Sequence, residues 1–178
     1  MAIAKKQPLK DIVYQVEAPM DCFNLIQTII FSLLFIVASI TAFDTDKVIG
    51  IAIFTLFAII LISAYINIPK KIIVTGAEVV IRSPFFDRKI NRKEILEVRD
   101  FLKDDKAGLY GVRSCGLLGC YGVFSSKKHH EIHLYASRRR NLVLITTASK
   151  KYVISPKNTE IINVLRSAIF LLTFALEF

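Results

Sequence analysis

The sequence predicts an α+β membrane protein, a two-helix transmembrane hairpin followed by a strand-rich domain closed by a C-terminal helix, on three observations. Residues 22–43 and 48–68 are apolar runs of 22 and 21 residues that hold no charge. At ~1.5 Å per helical residue, each can cross a hydrocarbon layer of ~30 Å. From Ile72 the pattern changes to short β-branched segments separated by Gly, Pro and Asn, as strands are. After Ser155-Pro156, apolar residues recur at three- and four-residue steps, the period of one helix face.

Residues 1–21 form an N-terminal arm that mixes charges, two prolines and a short apolar patch at Ile12, Val13 and Val16. The arm is expected in the cytoplasm, lying at the interface or adding to the domain. The hairpin then occupies residues 22–68, with its turn at residues 44–47. Asn24, Gln27, Ser32, Ser39 and Thr41 in the first run, and Thr55, Ser63, Ala64 and Asn67 in the second, are small or weakly polar residues that let two helices approach and share hydrogen bonds. Pro69 with Lys70-Lys71 ends the second helix, and Tyr65 suits an interfacial anchor. Lys5, Lys6, Lys10, Lys70 and Lys71 flank the outer ends of the hairpin, whereas its turn has the single Lys47. The positive-inside rule therefore predicts a multi-pass protein of the bacterial inner membrane with both termini in the cytoplasm. Three cysteines, Cys22, Cys115 and Cys120, fit a reducing compartment without a disulfide framework.

Residues 69–178 form the domain and carry 20 Lys/Arg against 10 Asp/Glu, the source of most of the net charge of +9. Strands are expected at Ile72–Thr75, Val79–Arg82, Phe86–Asn91, Ile95–Phe101, Glu131–Ser137, Leu142–Thr146 and Lys151–Ile154. A helix over about residues 157–176 follows, with Asn158 or Thr159 as N-cap. Its buried stripe is Ile161, Ile162, Leu165, Ile169, Leu172 and Leu176. Ser167–Phe178 is apolar all round and needs a cover, either the arm, a second subunit or the lipid interface.

The run GLLGCYGVF followed by YASRRRNLVLITTASKKYVISPKN resembles membrane-anchored bacterial proteins that carry a pleckstrin-homology-like (PH-like) domain. Gly116, Leu117, Gly119, Gly122 and Phe124 fill a Gly-rich segment similar to theirs, and Tyr135, Ala136, Arg139 and Asn141 a second one. The resemblance covers about residues 70–167. It implies a partly open, seven-strand antiparallel barrel closed by the last helix, but supplies no function, since PH-like folds host lipid, peptide and protein binding alike. It implies no catalytic residue.

The candidate site residues are cationic or apolar. Arg138-Arg139-Arg140 is the densest cation cluster, and Arg113, Lys127 and Lys128 bracket the Gly-rich stretch. These six are the expected ligand-binding residues, meeting anionic lipid headgroups or an acidic protein partner. Leu117, Leu118 and Tyr121 are the expected membrane-contacting loop. Arg88-Lys89 and Arg92-Lys93 form a second basic strip. His129, Glu131 and His133 alternate on one strand face without the remaining ligands of a metal site. The C-x4-C pair has no second pair, and Cys115 and Cys120 read as loop thiols. No phosphate loop, nucleophile elbow or nucleic-acid motif is present. The expectation is a non-enzymatic module without a cofactor or nucleic-acid partner, alone or as a homo-oligomer, with a structural subunit joined through its last helix as the alternative.

Overall fold

The structure, a computed structural model, describes residues 11–102, 105, 113–115, 117–126 and 130–167, with only the backbone at residues 113–115, 126 and 130. The expectations for Lys127, Lys128, His129, Ile169, Leu172 and Leu176 lie outside the described residues or their side chains.

Strand β1 (Ile12–Glu17) comes first, then helices α1 (Cys22–Thr45) and α2 (Lys47–Asn67). The hairpin turns on one residue, Asp46, whose carboxylate accepts a 2.8 Å bond from the Val48 amide and so caps α2. Gly50 makes the tight approach workable, since a Cβ there would lie 2.6 Å from the Phe43 Cα. Phe35 stacks on Phe57 at 4.3 Å further along. Ser32, Ser39 and Thr41 donate to carbonyls of their own helix, and not to the other helix as expected.

The domain follows as β2 (Lys71–Thr75), β3 (Glu78–Arg82), β4 (Asp87–Asn91), β5 (Ile95–Asp100), β6 (Arg113–Cys115), β7 (Cys120–Ser126), β8 (His130–Ala136), β9 (Val143–Thr147) and β10 (Lys151–Ile154). Residues 160–167 are helical and are called α3. The strands make a four-stranded sheet, β1-β2-β3-β4, and a six-stranded sheet, β5-β9-β10-β8-β7-β6.

This corrects the seven-strand antiparallel barrel in three respects. The arm contributes β1, which pairs antiparallel with β2 from Glu17↔Lys71 to Ile12↔Thr75. The stretch read as a Gly-rich loop contributes β6 and β7, with glycine placed where the chain turns back between them. Finally, β10 inserts between β9 and β8 and runs parallel to β8, because the β9–β10 hairpin swings its second strand against β8.

The expectation of a loop thiol at Cys120 is also corrected. Cys120 is disulfide-bonded, while Cys22 is free and exposed. The β6–β7 register sets Cys115 directly opposite Cys120, at the cross-strand spacing of ~4.5–5.5 Å that a disulfide can bridge. Spacing in sequence did not reveal a bond at Cys120 because β6 and β7 were not recognised as strands.

The main core lies between the sheets. Ile72, Val74, Val79 and Ile81 meet Val98, Val143, Ile145 and Ile154, and Ile161, Ile162 and Leu165 of α3 close one side. Alternate residues Leu144, Val153, Ile132 and Leu134 form a second cluster on the other face of the larger sheet, so β9 and β10 are apolar on both faces. Buried Arg92 donates 2.6 Å to the Thr75 carbonyl, and burial lowers its pKa. The Tyr14 hydroxyl of β1 donates to Asn158 at 3.0 Å beside α3, where burial raises its pKa, opposed by the Asn158 bond and assisted by Glu160.

One residue ties these parts together. Ser137, fully buried after β8, places its hydroxyl 3.0 Å from the carbonyls of both Ala18 and Pro19 and 3.3 Å from Ser155. Its amide donates to Ser155 Oγ at 2.9 Å, and its carbonyl accepts from the Asp21 amide and from Asn24 Nδ2 of α1. Removing a buried donor leaves acceptors unmet at ~1–3 kcal/mol. Ser137→Ala is expected to cost that much, read as a Tm several degrees lower in detergent.

Candidate functional site

Register decides which residues share an end of the domain. Glu17, Lys71, Arg82 and Asp87 stand side by side at one rim of the smaller sheet. Asp100, Val143, Ile154, Tyr135 and, one step on, Ala136 with Cys120 form the matching rim of the larger one. Four residues separate Glu17 from the start of α1, and three separate the end of α2 from Lys71. Both rims therefore face the hairpin.

The hairpin is docked on this rim by side chains. The Leu118 amide donates 2.9 Å to Thr28 Oγ1, more than a turn inside α1, while Asn24 reaches Ser137. Arg88 of β4 donates 2.8 Å to Asn67 Oδ1 at the end of α2 and stacks 4.4 Å over the Tyr135 ring of β8. The Arg139 guanidinium lies 4.0 Å over Phe23, and Lys70 lies 5.6 Å over Tyr65. Three cations thus sit against aromatic faces around the neck, an arrangement worth ~0.5–2 kcal/mol per pair. Arg88 has no carboxylate within ion-pair distance among the described residues, unlike Arg82, paired with Asp87 at 3.2 Å. Asn24 Oδ1, Gln27 Oε1, Arg82 Nε and Asp87 Oδ1, all buried atoms here, lack a hydrogen-bond partner among the described residues.

The predicted residues separate by place. Arg138, Arg139 and Arg140 lie in the β8–β9 connection at the hairpin rim; Arg138 is half-buried with Nη1 3.3 Å from the Lys157 carbonyl, and the other two are exposed. Leu117 and Leu118 are half-buried in the β6–β7 turn at the same rim, and half-buried Tyr121 faces Tyr135 in register. Arg113 pairs with Gly122 inside the β6–β7 ladder. Lys127 and Lys128 lie outside the described residues; the strand ends flanking them, Ser126 and His130, are at the opposite rim from Cys120 and Ala136. The second basic strip divides likewise, with Arg88 at the neck and Arg92 buried near the far turn. Glu131 and His133 stay on β8, 3.0 Å apart, and His133 stacks on Tyr152.

The Gly-rich turn is locally specified. Gly119 has φ 150, and a Cβ on it would lie 2.7 Å from the Ala136 carbonyl oxygen, so only glycine lets the turn close on β8. Its neighbour Leu118 holds φ 63, a left-handed conformation that costs a leucine ~1–2 kcal/mol. At the far rim, a cleft of about 320 Å³ is lined by Glu78, Lys89, Asn91, Glu94 and Tyr152. Its Lys89 is taken up by Glu78 at 2.9 Å, and burial, with Tyr135 and Glu94, raises the Tyr152 pKa.

Sequence reasoning missed Asn24, Thr28 and Arg88 as docking residues. Asn24, Gln27 and Thr28 fall at three- and four-residue steps, which puts them on one face of α1. That polar stripe was the available signal. Replacing Thr28 with isosteric Val removes the acceptor for the Leu118 amide; exchange of that amide is expected to quicken ~5-fold, read by hydrogen exchange, as loss of ~1 kcal/mol implies.

A family model described as Bacterial PH domain matches residues 70–168, more than half of the chain. The comparisons with curated proteins and with solved structures each find no match. With two apolar helices ahead of that span and a sheet-rich, helix-closed domain within it, the chain belongs to the bacterial PH domain family.

Proposed function

We propose that the protein is a non-enzymatic, membrane-anchored binding module whose hairpin rim rests on the leaflet and holds anionic lipid headgroups. The observation that carries this reading is the shared rim: Lys70, Arg88 and Arg138–Arg140 all gather where the chain enters and leaves the two apolar helices. Those helices run 24 and 21 residues, and only 11% and 17% of their most apolar windows are buried. A core helix of a soluble protein would be covered; these present their apolar side chains outward, as lipid requires.

Each cation near an anionic surface adds ~1 kcal/mol of attraction, or about five-fold in local lipid. In nanodiscs of mixed phosphatidylglycerol and phosphatidylcholine, the full chain is expected to enrich the anionic lipid around itself. Replacing Arg138, Arg139 and Arg140 together by Ala should reduce the enrichment several-fold, and raised salt should reduce it further. Equal occupancy by the two lipids in the unmodified chain would end the lipid-binding reading and leave an acidic protein as the ligand.

The flanking lysines support a cytoplasmic domain, whereas the disulfide at Cys120 favours a second reading with the domain on an oxidising side. Lys150→Cys, in the exposed β9–β10 turn, separates them. Labelling by a membrane-impermeant maleimide only after permeabilisation is expected for the cytoplasmic orientation; labelling of intact cells would establish the other.

A further inference from the structure

We propose that the β3–β4 turn, Pro84-Phe85-Phe86, is an apolar anchor that enters the lipid leaflet beside α2; this rests on the reading that the hairpin spans a membrane. The turn is rigidly closed. Ser83 is fully buried and its amide donates 2.9 Å to the Phe86 carbonyl, while Pro84 fixes its own φ. The two rings at the tip are nonetheless 47% and 40% exposed. Adjacent phenylalanines held in water by a tight turn mark a contact surface.

Position selects the occupant. The Lys70 amide donates 2.8 Å to the Arg82 carbonyl, and Lys71 pairs with Arg82 in register. The turn therefore begins one residue beyond the strand position that adjoins the exit of α2, and Arg88 on its other side is bonded to Asn67, the last residue of that helix. A protein partner covering the tip would have to occupy the headgroup layer itself. Lys70, Lys71 and Arg88 adjoin the turn, while Arg82 is paired with Asp87; cations beside exposed aromatic rings are the combination found at membrane surfaces. On the α1 side, Leu118 is held in its strained conformation against Thr28. The exposed rings of the β3–β4 turn beside α2 thereby set how the domain leans on the leaflet.

The chain contains no tryptophan, so single Trp substitutions report position without background. Phe85→Trp and Phe86→Trp, with Ile36→Trp in α1 and Leu96→Trp at the far end of β5 as references, are reconstituted as full chains in nanodiscs with and without brominated acyl chains. Tryptophan at positions 36, 85 and 86 is expected to be quenched by the brominated lipid and to emit to the blue of position 96, which an aqueous quencher should reach. Quenching at position 36 together with aqueous access at 85 and 86 would overturn the anchor while sparing the spanning hairpin. Shielding of 85 and 86 from both quenchers would overturn it in favour of a protein cover, a second copy if the shielding falls on dilution. No lipid quenching at position 36 would remove the membrane reading and the anchor with it.

Discussion

The structure depends on the hydrogen-bond junction at Ser137. There the larger sheet, the end of β1 and the first turn of α1 converge on one buried residue. Buried backbone groups must find partners, and the chain between Glu17 and Cys22 is neither strand nor helix, so it has no ladder of its own. Ser137 meets its carbonyls with a hydroxyl and its amide at Asp21 with a carbonyl. The Lys157 amide bonds the Glu17 carbonyl and the Ala18 amide the Lys70 carbonyl, both at 2.9 Å, extending the junction to the approach to α3 and to β2. The hairpin is consequently an insertion between two hydrogen-bonded neighbours, held at both feet.

This double footing is what gives the rim chemical meaning. A domain joined to an anchor by one flexible linker could turn any face towards the leaflet. Here Thr28 with Leu118 on one helix and Asn67 with Arg88 on the other leave little rotational freedom, so the cations near the helices keep a fixed place beside them. Binding then pays less orientational entropy than for a tethered domain. The far rim, with its mixed-charge cleft and the ion pair of Glu78 and Lys89, faces away from the helices.

Much of the fold was legible because the deciding signals are local. The seven strands expected from Ile72 onward coincide with β2–β5 and β8–β10 to within a residue at most ends, since β-branched runs between turn residues specify strands wherever they lie. Apolar length likewise located both helices, with ends shifted by no more than two residues. What escaped depends on pairing over distance. The patch at Ile12, Val13 and Val16 alternates too briefly to announce a strand, and its partner lies beyond the whole hairpin. The glycines that looked like loop residues permit the close return of β7 on β8, and the bond at Cys120 follows from a register invisible in the spacing. At the site, charge clustering picked out Arg138–Arg140, but Arg88 is important through Asn67 and Tyr135, partners far away in sequence.

The strand before the hairpin also imposes an order of events on biosynthesis. β1 leaves the ribosome first, yet its only sheet partner among the described strands, β2, is made after both apolar helices. A strand made before both helices is paired only when β2 emerges after them. Closure of the domain is thereby a late report that the hairpin ahead of it is complete, and a chain whose helices were misplaced on opposite sides would keep the strand from its partner.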